Sequence, residues 1–300
     1  MKRLIPIFIL LLAGFTATSQ TLKPYILGAT ASGSINDAKA QVKSGLEEAG
    51  FTVVGEYMPV SDATRWAIIV SHPALDNAVK AVGNLTGFAA TLRVGITNED
   101  GVINISYTNP PYWGNAYFRD DFDKVAADYT KVEAAFKKAV ANVGEAKGTS
   151  FGSEKGEKID DLRKYHYMFG MPYFDETKEM GDFDTHKAAI DKIEGSLKEG
   201  KVGVKLVYRY DVPGTKLTLY GFALSGEKGE DNFMPKIDIT SPKHTAFLPY
   251  DLLVMDNEVH ALHGRFRIAL SFPDLTMGTF TKIMSSPGDI EDLLKQLVED

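Results

Sequence analysis

One succession of apolar and turn-forming residues is written twice along this chain. It restricts the fold more than any other feature, because a repeated unit has to bury its apolar face the same way each time. Pro24-Tyr25-Ile26-Leu27-Gly28 reads as a short strand, and His166-Tyr167-Met168-Phe169-Gly170 repeats its pattern past the midpoint. An amphipathic helix follows in each copy. Ser34 to Ala49 carries Ile35, Ala38, Val42, Leu46 and Ala49 on one face and stops at Gly50. Its counterpart starts from an N-cap at Asp184 or Thr185 and runs through Ala189, Ile190, Ile193 and Leu197 to Gly200.

Two β-rich runs come next: Phe51–Met58 and Trp66–Ser71 in the first copy, Val202–Tyr210 and Lys216–Leu224 in the second, with Pro59 and Pro213 in the turns. Hairpins complete the sheets, Phe88–Thr97 with Val102–Thr108 and Thr245–Val254 with Val259–Ser271. Asn98-Glu99-Asp100-Gly101 and Met255-Asp256-Asn257-Glu258 supply the turn chemistry. Beyond Pro110, a closing helix carries Phe122, Val125, Ala126, Tyr129, Val132, Phe136 and Val140 on one face. Beyond Pro273, its counterpart breaks and restarts with Ser286 as N-cap and Pro287 at N1, burying Ile290, Leu293, Leu294 and Leu297.

The order in each copy, strand, helix, four strands, helix, predicts an α+β fold of two tandem related units, each an antiparallel sheet backed by helices. Residues 20–143 make the first unit, 144–164 a linker and 165–300 the second unit. Gly144–Lys158 is rich in Gly, Lys, Glu and Ser and holds one large apolar residue, Phe151, as a linker would. Gly226–Asp231 has the same composition and reads as a mobile loop.

The first copy resembles the bacterial domain-of-unknown-function family 302. The resemblance is carried by Leu46-Glu47-Glu48-Ala49-Gly50-Phe51-Thr52-Val53, by the strand running into Ser71-His72-Pro73, and by Ser106-Tyr107-Thr108-Asn109-Pro110. The family's second motif usually reads Gly-Asn-Pro and its third Tyr-Asn-Asp-Pro, so the prolines agree and the polar residues depart. It covers about residues 23–143, with a weaker echo in the second copy. It implies a half-domain like that of the TATA-binding protein, and no settled activity.

The N-terminus has the three parts of a cleavable signal peptide: Lys2 and Arg3, the apolar run Leu4–Ala13, and Ala17-x-Ser19 before Gln20. The apolar run is shorter than the roughly 20 residues a spanning helix needs. Cleavage before Gln20 and a periplasmic or secreted location are therefore expected, with no membrane span. There is no cysteine, which excludes disulfides, thiolate metal sites and lipid attachment at a cysteine. Removing Lys2 and Arg3 from 33 basic residues leaves 31 against 40 acidic ones, a formal charge of −9. With no basic cluster, nucleic acid is not an expected partner.

The candidate ligand-binding residues are Tyr112, Trp113, Tyr117, His72 and Asn109. Four of them belong to Asn109-Pro110-Pro111-Tyr112-Trp113-Gly114-Asn115-Ala116-Tyr117-Phe118, where prolines bar a sheet ladder and aromatic side chains crowd together. Exposed, such rings bind sugars, apolar ligands or proteins. Folded back, they plug the sheet's end or the seam between the copies. His72 stands at a strand end before Pro73, where either a general base or a plain turn residue fits. His260 and His263, with His244 on the preceding loop, raise a metal reading that an offset of three on a strand opposes, since it sends the rings to opposite faces. Arg265 with Arg267, and Lys205 with Arg209, would form a cationic stripe on the second sheet. No catalytic residue, metal or cofactor is assigned.

These readings favour an exported soluble protein of the cell envelope with a non-enzymatic binding or structural role, its partner a small molecule, a glycan or an envelope protein. The rival is a hydrolase-type enzyme with its site in the cleft between the copies, using His72, Asp62 or Asp76. A base within about 3 Å of a nucleophile inside a concave pocket would favour that rival.

Overall fold

The computed structural model describes residues 20–299, so the export signal expected in residues 1–19 lies outside the described residues. The fold is α+β. A two-residue strand, β1 (Thr21–Leu22), leads into β2 (Tyr25–Ala31). The Ser34 hydroxyl caps α1 (Ile35–Glu48) by accepting the Asp37 N–H, and Ala38, Val42 and Leu46 turn one face of that helix inward. Then come β3 (Thr52–Tyr57), β4 (Arg65–Ser71), α2 (Pro73–Val82) and the hairpin β5 (Leu92–Glu99) with β6 (Val102–Thr108). Two helices, α3 (Pro110–Phe118) and α4 (Phe122–Val140), and a last strand, β7 (Glu145–Phe151), complete the sheet. Its order is β3-β4-β5-β6-β2-β7, antiparallel throughout.

The crossing to the second half holds β8 (Glu157–Lys158), which pairs with β1, and α5 (Ile159–Arg163). The second half contains β9 (Lys178–Asp182), α6 (His186–Glu199), β10 (Val204–Asp211), β11 (Leu217–Leu224) and α7 (Glu230–Ile237). It continues with β12 (Tyr250–Met255), β13 (Glu258–Ala261), α8 (Gly264–Ser271), α9 (Met277–Phe280) and α10 (Ser286–Lys295). Its antiparallel sheet runs β10-β11-β12-β13-β9. With β1 and β7 set aside, both sheets place the second, third, fourth, fifth and first strands of their half side by side.

Several expectations are corrected. The strands of each half are not four in succession, because α2 and α7 intervene. His166–Gly170 is a turn, with the His166 ring stacked on Tyr173 at 4.6 Å and Gly170 at φ +80°; the first strand of the second half is β9. The strand expected over Val259–Ser271 ends at Ala261. His263 then caps α8 by accepting the Arg265 N–H, so Arg265 and Arg267 stand on a helix, one exposed and one buried. The expected linker is ordered into β7, β8 and α5, with β7 held to β2 by backbone hydrogen bonds rather than by a buried face. The loop at Gly226–Asp231 passes into α7.

The first sheet is covered on both faces. Along β5 and β6, Val94, Ile96, Ile103, Ile105 and Tyr107 are buried, with Tyr107 stacked on Phe136 of α4 at 4.6 Å. The alternate residues Arg93, Thr97, Asn104, Ser106 and Thr108 are polar and equally buried. On a lone antiparallel sheet such a face would meet water. Here the second half covers it. A Cβ built on Gly95 would lie 2.9 Å from the Ala246 nitrogen, and one on Gly55 2.7 Å from the Val207 oxygen, so both glycines permit close backbone approach across the seam.

Charged groups inside the seam are matched across it. Asp251 pairs with Arg93, meets Arg267 Nη1 at 3.4 Å and accepts the Tyr208 hydroxyl hydrogen at 2.8 Å. Arg65 pairs with Asp238. Glu230 accepts from the Tyr57 hydroxyl at 2.9 Å and from the backbone amides of Val60 and Leu224, each at 3.3 Å. Such pairs register two surfaces more than they stabilise them, since desolvation offsets most of their attraction.

Candidate functional site

The aromatic segment expected as a recognition loop is helix α3, and it is core. Tyr112 is fully buried and donates its hydroxyl hydrogen to the Leu270 carbonyl at 2.8 Å; Trp113 Nε1 donates to the Pro24 carbonyl at 2.8 Å. Tyr117 stacks on Phe174 at 5.0 Å, and the buried Asn109 side chain donates to the Lys23 carbonyl at 2.7 Å. Trp113 and Tyr117 border an enclosed void of about 10 Å³, room for one water at most. Pro110 and Pro111 open a helix here, as prolines do in a first turn.

His72 is the N-cap of α2, its Nδ1 accepting the Ala74 N–H at 3.1 Å, and burial pushes its pKa below the ordinary value. The neighbouring Ser71 hydroxyl donates to the Ala90 carbonyl at 2.8 Å, so the two do not form a nucleophile and base pair. Asp76 accepts from Tyr210 at 2.7 Å and Asp62 from Thr64 and Arg65. His260 lies between Thr177 and Glu258, His263 caps α8, and His244 is elsewhere; among the described residues no three His, Cys, Asp or Glu side chains converge on a metal position. Arg209 is paired with Glu194 and Asp211, a bulge between Leu206 and Tyr208 breaks its even offset from Lys205, and Arg265 and Arg267 stand on a helix, so the expected cationic stripe does not form.

What the halves do form between them is a cleft of about 400 Å³, within the range of small-molecule sites. One wall is Ser150–Ser153 at the end of β7, with Lys23 beside it. The other wall comes from the second half: the segment from Ile237 to Pro242, and Phe272 with Asp274–Thr276 and Thr279. His244 stands between them. Its ring lies 4.5 Å from Phe272, 4.9 Å from Tyr25 and 5.7 Å from Phe151, centre to centre. Its Nδ1 is buried without a hydrogen-bond partner, and the 7% of the residue left exposed borders the cleft. Burial lowers its pKa, against the opposing pull of Asp238, a Ser271 backbone hydrogen bond and Asp274, and so favours the neutral imidazole.

The wall carrying His244 is fastened to the first half. The Lys243 N–H donates to Glu99 Oε1 at 3.0 Å across the seam, and within the second half the His244 N–H donates to Asp238 Oδ1 at 2.9 Å. Burial alone would raise the Glu99 pKa, but hydrogen bonds led by that of Lys243 outweigh it and hold the carboxyl low. Opposite, Asp274 accepts from the Ser153 hydroxyl at 3.1 Å and the Glu154 N–H at 2.5 Å. Asp238 is paired with Arg65. The carboxylates of these walls, Glu99, Asp238 and Asp274, thus each hold partners other than the His244 ring.

Phe151 was legible as the one large apolar residue of its segment and His244 as a loop histidine; neither pointed to the other, because 93 residues of chain separate them. No protein-family model and no curated protein matches the chain. Among the described residues no helix is long and apolar enough to cross a membrane.

Proposed function

We propose that this is an exported protein of the cell envelope that binds a small molecule in the cleft beside His244 and carries out no reaction on it. One observation carries the reading: a neutral, incompletely hydrogen-bonded imidazole, held by three aromatic rings, borders a cleft of small-molecule size whose walls are fixed from both halves. Preorganised walls lower the ordering cost of binding. Two copies of one ancestral unit account for the shared strand order, and the cleft then lies where the copies differ, since β7 has no counterpart in the second sheet.

Native mass spectrometry of protein isolated from its own host tests this. The expected result is a non-covalent adduct of small-molecule mass, released on denaturation. An adduct-free protein that hydrolyses ester or glycoside substrates, with activity lost in His72→Gln, would overturn the reading in favour of the enzyme.

A further inference from the structure

The cleft's lining specifies its ligand chemically, and we infer that it takes a neutral polyhydroxylated molecule, a mono- or disaccharide; this rests on the binding reading above. The formal charges that line the cleft are Lys23 and Asp274, one of each sign, and His244 is neutral, so the cleft has no net charge to match with an ionic ligand. A purely apolar ligand is disfavoured too, because it would strip water from the hydroxyls of Ser150 and Thr240 without replacing those hydrogen bonds, while Ser153, Thr276 and Thr279 are bonded within the protein. Hydroxyls both donate and accept, as sugar hydroxyls do, and the two sets pair in either direction. The half-buried ring of Phe151, with the 67% exposed Ile239, supplies apolar surface for the C–H face of a pyranose.

The test is calorimetric titration of the mature protein, freed of any co-purified ligand, with a panel of neutral mono- and disaccharides, uronic acids, aliphatic amino acids and the apolar dye anilinonaphthalene sulfonate. Thr240→Trp is the blocking variant, since Thr240 is exposed at the cleft and makes no side-chain hydrogen bond that holds the fold. A neutral saccharide should bind saturably, and Thr240→Trp should weaken it at least tenfold with an unchanged melting temperature. Binding of an acid, amino acid or dye that Thr240→Trp abolishes, with every neutral saccharide inert, overturns the saccharide assignment and leaves the cleft as the site. Binding of any probe that Thr240→Trp does not weaken, or no binding at all by a protein that also lacks an adduct from its host, overturns both.

Discussion

Glu230 links the stability of the seam to pH. Burial raises its carboxyl pKa from about 4.5 to about 8, although the Tyr57 hydroxyl and two backbone amides donate to it and favour the ionised form. The folded state thus holds the Glu230 proton more tightly than the unfolded chain does. Its contribution to stability is complete below about pH 4.5, falls as pH rises through the window, and is gone above about pH 8. The slope inside the window is about 1.4 kcal/mol per pH unit, so roughly 3.5 kcal/mol is lost between pH 5 and 8, a large share of a typical folding free energy. Glu230→Gln stays neutral and lacks this term. The variant should start roughly 1–3 kcal/mol less stable at pH 5, because its amide cannot satisfy all three donors. Urea unfolding of both proteins from pH 5 to 9 isolates the effect, since other titrating groups cancel in the difference. That difference should move by about 4 kcal/mol toward the variant as pH rises from about 5 to 9. A difference constant within about 0.5 kcal/mol would show that the three donors win over burial, and would refute the reasoning.

Other outcomes follow from the same structure. Trp113→Ala removes a ring packed against Tyr25, Tyr112 and Tyr117 and should cost roughly 3–5 kcal/mol in thermal unfolding; a near-neutral result would return α3 to the recognition reading. Asp251→Ala leaves Arg93 and Arg267 buried without their carboxylate and should cost about 3–5 kcal/mol in urea unfolding. Gly45→Ala puts a Cβ 2.1 Å from the Ala139 carbonyl oxygen where α1 crosses α4, for a loss of about 1–3 kcal/mol by the same measurement. N-terminal analysis of exported material should begin at Gln20, and retention of residues 1–19 would contradict cleavage there.

Local chemistry was legible in the sequence where apolar spacing and caps agreed. Helices α1, α4 and α6, the second strand of the first hairpin and the turn at Asp100-Gly101 stand where spacing put them; the first hairpin strand starts at Leu92 because Phe88 and Ala89 lie in a helical turn, and α10 has Ser285 rather than Ser286 at its N-cap. Two helices were missed although their signals were present. Pro73 at the first helical position and Ala74, Leu75, Ala78 and Val79 at helical spacing announce α2, but His72-Pro73 also reads as a turn. In α7, Pro235 and the charged residues before it concealed the buried Phe233, Met234 and Ile237. The alternation Arg265-Phe266-Arg267-Ile268 imitates a strand, and the His263 cap decides for helix. β7 carried no apolar signal because its place in the sheet depends on backbone pairing with β2. The cleft was illegible for a different reason: it is assembled from three distant segments and from a histidine whose burial depends on all of them.

Hydrogen exchange tests the central claim most directly, by comparing protein purified from its host with the same protein denatured, freed of ligand and refolded. The host-derived form should show added amide protection confined to residues 150–153, 237–244 and 272–279, the segments that wall the cleft. Added protection centred on residues 72–76 or 109–118, with the cleft segments unchanged, would contradict the account.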